Sequence, residues 1–200
     1  MILAVSLLTL NTQADNHSGN IEQGRAKSAV CSACHGVDGN SINPEWPSLA
    51  GQHPKYLVQR LQAYKAGEVK TPLAALMNAQ AMALSAQDMA DLAAYFASQT
   101  VTPGAADAAL VEAGSVLYRM GNEEREIASC AACHGPRGRG NPLSNVPAIA
   151  GQRSAYSVAQ LKAFANGTRD GGLNGMMHDV SKSMSEDDMK AVASFMQGLH

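Results

Sequence analysis

The amino-acid sequence predicts an all-α protein made of two tandem domains related by internal duplication. Three observations lead there. The chain repeats itself at a fixed offset, both copies space their apolar residues as helices do, and neither carries the alternation of a strand. Residues 47–52 read P-S-L-A-G-Q and residues 147–152 read P-A-I-A-G-Q. At the same offset of 100, Tyr56 pairs with Tyr156, Leu61 with Leu161, Tyr64 with Phe164 and Met77 with Met177; Ser85, Asp88 and Met89 pair with Ser185, Asp188 and Met189. Upstream, C-S-A-C-H-G at 31–36 matches C-A-A-C-H-G at 130–135 with the offset reduced to 99. A unit of roughly ninety residues is small for a self-sufficient apolar core, so something else is expected to fill it.

The elements follow in order. Met1 to Leu10 is an apolar run too short to span a membrane. With Thr12-Gln13-Ala14 after it, segment 1–14 reads as signal-like, although a basic n-region is missing, and it points to export. The N-terminal domain is assigned to 15–101, a linker to 102–107 where Thr102-Pro103-Gly104 breaks the chain, and the C-terminal domain to 108–200. A helix is expected before each cysteine motif, around 21–29 and 106–120. Val58, Leu61 and Tyr64, like Val158, Leu161 and Phe164, mark one face of a helix after each P-x-x-A-G-Q segment. Ser85-x-x-Asp88 and Ser185-x-x-Asp188 read as N-caps opening the last helix of each unit. Met77 and Met177 fall in the loops before those helices.

Composition excludes some classes. Net charge is −2, with −1 in each half, so no basic stripe suggests nucleic acid. Three Phe, one Trp and five Tyr are few for two hundred residues, and a large apolar cofactor in each half would account for it.

All four cysteines lie in two C-x-x-C-H sequences: Cys31, Cys34, His35 and Cys130, Cys133, His134. This spacing sets two thiols one helical turn apart, able to add to the two vinyl groups of one haem, with the next imidazole under the iron. A zinc ribbon would bring the two motifs together, yet each sits at the same place in its own repeat. A thioredoxin-type pair expects a βαβ context, and two disulfides would not explain a histidine after each. The expected cofactors are therefore two covalently bound haem c groups.

The repeat also selects the sixth iron ligand. Of ten methionines only Met77/Met177 and Met89/Met189 are Met in both copies. Met89 and Met189 lie on the apolar stripe of the last helix and read as core. Met77 and Met177 are taken as the axial ligands. His178, beside Met177, is the rival at the second iron, but its counterpart is Asn78, which favours a surface histidine. Met82, Met176 and Met184 have no methionine partner, and His17, His53 and His200 are given no role. The carbonyl of Pro47 or Pro147 is free to accept from Nδ1–H of the haem histidine.

With these residues in place the chain resembles the cytochrome c4 type, dihaem class I cytochromes c of bacteria, over nearly all of residues 19–200. The resemblance rests on C-S-A-C-H-G-V-D-G-N at 31–40, L-A-G-Q at 49–52, L-S-A-Q-D-M-A-D-L-A-A-Y-F at 84–96 and Q-G-L-H at 197–200. It implies two tandem cytochrome c domains packed face to face, a periplasmic location with peripheral membrane association in some members, and ligand pairs His35/Met77 and His134/Met177. The implied role passes single electrons from a quinol-oxidising complex to a terminal haem–copper oxidase. The chain departs from the family in its compact segment before Met77. No acid–base pair or nucleophile stands out, so an electron carrier is expected and not an enzyme. A dihaem peroxidase would need one open iron, against which the paired methionines argue. The alternative is a dihaem subunit of a dehydrogenase complex, such as a sulfide-oxidising flavocytochrome.

Overall fold

A computed structural model describes residues 18–170 and 175–200; the signal-like segment 1–14 lies outside them. Among the described residues there are ten α-helices. The first five are α1 (Ile21–Lys27), α2 (Ala29–His35), α3 (Pro54–Lys65), α4 (Ala74–Met82) and α5 (Ala86–Ala97). The second five repeat them in order: α6 (Val111–Met120), α7 (Cys130–His134), α8 (Ser154–Ala165), α9 (Met176–Ser181) and α10 (Glu186–Gly198). Pairing of the β type is confined, among the described residues, to isolated bridges at Asn122–Ile127 and Asn141–Val146.

The last helix organises each half. Ser85 and Ser185 form complete capping boxes with Asp88 and Asp188, each cap being worth about 1 kcal/mol. Behind the cap, α5 buries Met89, Leu92, Ala93 and Phe96, and α10 buries Met189, Val192, Ala193 and Met196. These stripes receive the first helix of the unit at a close crossing. A Cβ added to Gly24 would lie 2.0 Å from the Asp91 carbonyl oxygen, and one added to Gly114 would lie 2.2 Å from that of Ala191. Only a residue without a side chain lets α1 approach α5, and α6 approach α10, this closely.

Three expectations are corrected. Met77 and Met177 are not in loops but on α4 and α9. The run A-A-L-M-N-A-Q-A-M over 74–82 is made almost wholly of strong helix formers, and local propensity decides a short exposed segment. The helix expected over 106–120 begins only at Val111. Its first residues are spent on α10 instead: Asp107 N–H donates to Ser194 Oγ (2.8 Å), and Gln197 Nε2 donates to the Ala105 carbonyl (2.7 Å). Residues 101–107 thus run between the halves without helix or strand. The stretch around 21–29 is broken at Ser28 into α1 and the start of α2.

Candidate metal centres

Each C-x-x-C-H motif is helical, so Cys31 and Cys34 sit one turn apart on α2, and Cys130 and Cys133 on α7. Cys31 and Cys130 are half-buried and Cys34 and Cys133 exposed, and none of the four is paired in a disulfide. A glycine at positive φ ends each helix (Gly36, +83°; Gly135, +77°) and turns the chain beneath the histidine. The loop that follows is folded back by paired bonds: Leu49 and Ala50 N–H donate to the Gly39 carbonyl, and Ile149 and Ala150 N–H to that of Gly138.

This folding brings a proline carbonyl under each imidazole. His35 Nδ1–H donates to Pro47 O at 2.8 Å, and His134 Nδ1–H to Pro147 O at 2.9 Å. Both histidines are buried, 6% and 7% exposed. Burial lowers both pKa values, opposed by the carbonyl bond, so the rings are neutral at physiological pH. A carbonyl can only accept, so the single ring proton is on Nδ1 and Nε2 presents its lone pair. A neutral imidazole fixed in this tautomer is the form an iron requires, and the residues present fit a haem in each half.

The methionine helices complete the picture. Met77 is half-buried on α4, which packs against α3. Met177 is half-buried and packs on the same core cluster as Cys130. Cys133 Sγ lies 3.9 Å from Met176 Sδ, so the start of α9 faces the motif helix. Met89 (2% exposed) and Met189 (4%) are core, and Met82 is exposed.

His178 is not the surface histidine the sequence suggested. It is half-buried and its Nδ1–H donates to the Phe164 carbonyl at 2.9 Å. In the other half the Asn78 amide, with its nitrogen turned inward, reaches the Tyr64 carbonyl at 3.0 Å. Positions 78 and 178 thus do one job with different side chains, tying the methionine helix to the end of α3 or α8.

Sequence reasoning gave no role to the glutamines of the shared A-G-Q, and the structure gives them one. Gln152 Oε1 accepts from Ser48 N–H (2.8 Å) and its Nε2 donates to Ser48 O (3.0 Å). Gln52 does the same to Ala148, at 2.9 and 2.8 Å. The two histidine loops are therefore clasped to each other across the halves. Around them, Tyr156 N–H donates to Pro44 O, and the buried Arg169 donates from Nη2 to Tyr56 OH (2.8 Å) while lying over the Phe164 ring. Arg169 has Val69 as its repeat counterpart, so the duplication could not point to it.

Among the described residues no three His, Cys, Asp or Glu side chains gather as a metal-ion site, and the two C-x-x-C-H motifs lie on separate helices, α2 and α7. No described helix is long and apolar enough to cross a membrane.

Comparison with known proteins agrees with this geometry. The Cytochrome c family model matches twice, over residues 21–100 and 111–200. Cytochrome c4 of Azotobacter vinelandii is 42% identical over 99% of this chain and 98% of its own. The crystal structure of reduced recombinant cytochrome c4 from Pseudomonas stutzeri superposes with a TM-score of 0.85 at 42% identity, covering 92% of this chain and all of that one. A thiosulfate dehydrogenase electron acceptor of Stutzerimonas stutzeri is 34% identical over 96% of this chain and 90% of its own.

Proposed function

Because the chain belongs to the cytochrome c4 family of two-domain cytochromes c, we propose that it carries single electrons in a periplasmic respiratory chain, from a quinol-oxidising complex to a terminal haem–copper oxidase. Its cofactors are two covalently bound haem c groups, which supply a one-electron Fe(III)/Fe(II) couple. In this reading Cys31 and Cys34, and Cys130 and Cys133, form the thioether bonds. His35 and Met77 would hold the first iron, and His134 and Met177 the second. Neither iron then keeps an open position for a substrate, which is why the protein is read as a carrier and not an enzyme.

One observation carries the proposal: both histidines are buried, single-tautomer rings whose Nδ1–H is bonded to a proline carbonyl. A ligand held this way changes little when its iron changes charge, and small rearrangement keeps electron transfer fast.

A second reading has support of its own, since relatives named as thiosulfate dehydrogenase electron acceptors match most of the chain. In that reading a sulfur-oxidising dehydrogenase is the donor. The two are separated by mixing the oxidised holoprotein, in parallel, with quinol-oxidising membranes and with a thiosulfate-oxidising extract. Reduction at turnover rates by membranes alone, followed by cyanide-sensitive reoxidation, supports the respiratory role. Reduction only by the extract, or isolation in a fixed complex with a dehydrogenase, rejects it.

A further inference from the structure

We propose that Gln52 and Gln152 are positioning residues that act across the domain boundary, each strengthening the iron-ligand histidine of the opposite domain through one peptide group. The proposal rests on the reading of His35 and His134 as iron ligands.

The Pro47 carbonyl and the Ser48 N–H belong to the same planar peptide unit. His35 Nδ1–H donates to its oxygen at 2.8 Å, and its N–H donates to Gln152 Oε1 at 2.8 Å. The Pro147–Ala148 peptide is held alike, by His134 Nδ1–H at 2.9 Å and by Gln52 Oε1 at 2.9 Å. A donor on the oxygen and an acceptor on the N–H both favour the charge-separated resonance form of the amide. Each bond therefore strengthens the other, by about 10–30% per bond in such chains.

The orientation of each glutamine is over-determined. Gln52 Oε1 also accepts from His53 N–H (3.0 Å), and Gln152 Oε1 from Arg153 N–H (2.9 Å). Turning either amide over would point NH2 at two N–H donors and its oxygen at a carbonyl. Gln52 and Ser48 are buried, at 7% and 8% exposed, so water does not replace the contact freely. Gly51 (φ +67°) and Gly151 (φ +69°) set the turns that aim both side chains, with Val101 packed against the two of them.

The consequence is crossed. Losing Gln152 Oε1 weakens Pro47 O as an acceptor, so the His35 ring becomes a poorer electron donor and Fe(III) in the first haem is less stabilised. The potential of the first haem rises, although the change is in the second domain. Gln52 acts on the second haem in the same way.

The test uses the reduced, 15N-labelled holoprotein and follows the Nδ1–H resonances of His35 and His134, together with both midpoint potentials. In the wild type both ring signals should carry the porphyrin ring-current shift. Its absence at either would reject that histidine as a ligand, independently of any glutamine variant. In Gln152→Met the His35 Nδ1–H should move upfield and exchange faster and the first potential should rise, with His134 unmoved; Gln52→Met should give the mirror image. Gln152→Asn keeps an amide but is one methylene too short to reach the Ser48 N–H, so the His35 signal should again move upfield and the first potential should rise. This variant serves where the Met variant does not assemble. Movement of the histidine in the mutated domain, equal movement of both, or no movement overturns the proposal.

Discussion

In the N-terminal domain the hydroxyl that holds the turn after the cysteine motif comes from the last helix, where Tyr95 donates to Val37 O at 2.8 Å. In the C-terminal domain it comes from the first helix, where Tyr118 donates to Gly135 O at 2.7 Å. The repeat partner of Tyr95 is Phe195, and the Tyr118 ring packs on it with centroids 5.3 Å apart. The first half packs Tyr95 on Phe96 within α5, and the second packs Tyr118 of α6 on Phe195 of α10, so the hydroxyl has changed chain segments. The ion pairs have diverged too. Lys27 bridges Asp88 (2.7 Å) and the buried Asp91 (2.6 Å) in the first half, whereas Arg125 pairs with Asp188 in the second, where Asp91 is replaced by Ala191. What is kept is the geometry around each imidazole. Duplicated halves preserve the bond to each imidazole, while the turn beside it is held from the last helix in one half and from the first helix in the other.

The largest expected difference between the halves is spectroscopic. Met77→Ala should abolish the far-red sulfur-to-iron absorption of the first haem and lower its potential, leaving the second intact; Met177→Ala should do the reverse. If Met177→Ala leaves the second haem unchanged while His178→Ala alters it, the equivalence of the two sites is broken at the sixth ligand.

Next in size is packing. Gly24→Ala and Gly114→Ala each place a methyl inside a backbone carbonyl, and overpacking of this kind costs about 1–3 kcal/mol or more. Two calorimetric transitions, with only the mutated half moving down, would show that the halves unfold separately. A single shifted transition would show that the contacts between the halves, the glutamine clasp among them, couple their unfolding.

A smaller effect should appear in acid. Lys27 holds the Asp88 and Asp91 carboxyls below the ordinary carboxylate range, through its bond to each. Groups with lowered folded-state pKa stabilise fully above the unfolded value, about 3.9, and lose that contribution as pH falls through the folded value. Lys27→Met should therefore lower the Tm of the N-terminal half at neutral pH and leave a smaller difference from wild type near pH 2. A constant difference at all pH values would mean that Lys27 acts by packing alone.

Much of this was legible because the chain is written twice. The cysteine motifs, the serine caps and the apolar stripes are local patterns with fixed periods, and each appears in two copies. The placement of Met77 and Met177 on helices was missed because the segments are too short for periodicity to show. The glutamine clasp was missed for another reason. Its partners are backbone atoms 104 and 96 residues away, and backbone atoms leave no mark in a sequence. Gln52 and Gln152 were visible as a repeated letter, but their role needed the tertiary fold. Arg169 and the exchanged tyrosine lie where the repeat is broken, so comparing the halves could not find them.

The smallest effect concerns potential. The loop after the first motif, Gly36 to Asn40, carries Asp38, whose carboxylate accepts from Asn40 Nδ2 and N–H and is held ionised by them. The loop after the second carries Arg137 and Arg139, both exposed. A positive charge disfavours the oxidised iron and raises its potential, and a negative charge lowers it. At about 10 Å a unit charge is worth roughly 0.4 kcal/mol in water-like surroundings and about 1.7 kcal/mol at an effective dielectric near 20. For a one-electron couple this is on the order of 20–70 mV per charge before screening. Exposed arginines belong at the low end, so the C-terminal haem should lie tens of millivolts above the N-terminal one. Electrons would then rest on the second haem, making the first domain the entry and the second the exit. Titrating the wild type against an Arg137→Gln/Arg139→Gln double variant decides the matter. The gap should shrink in the variant and at high salt. A gap that is absent, or that survives the loss of both charges unchanged, would trace any asymmetry to the ligands themselves.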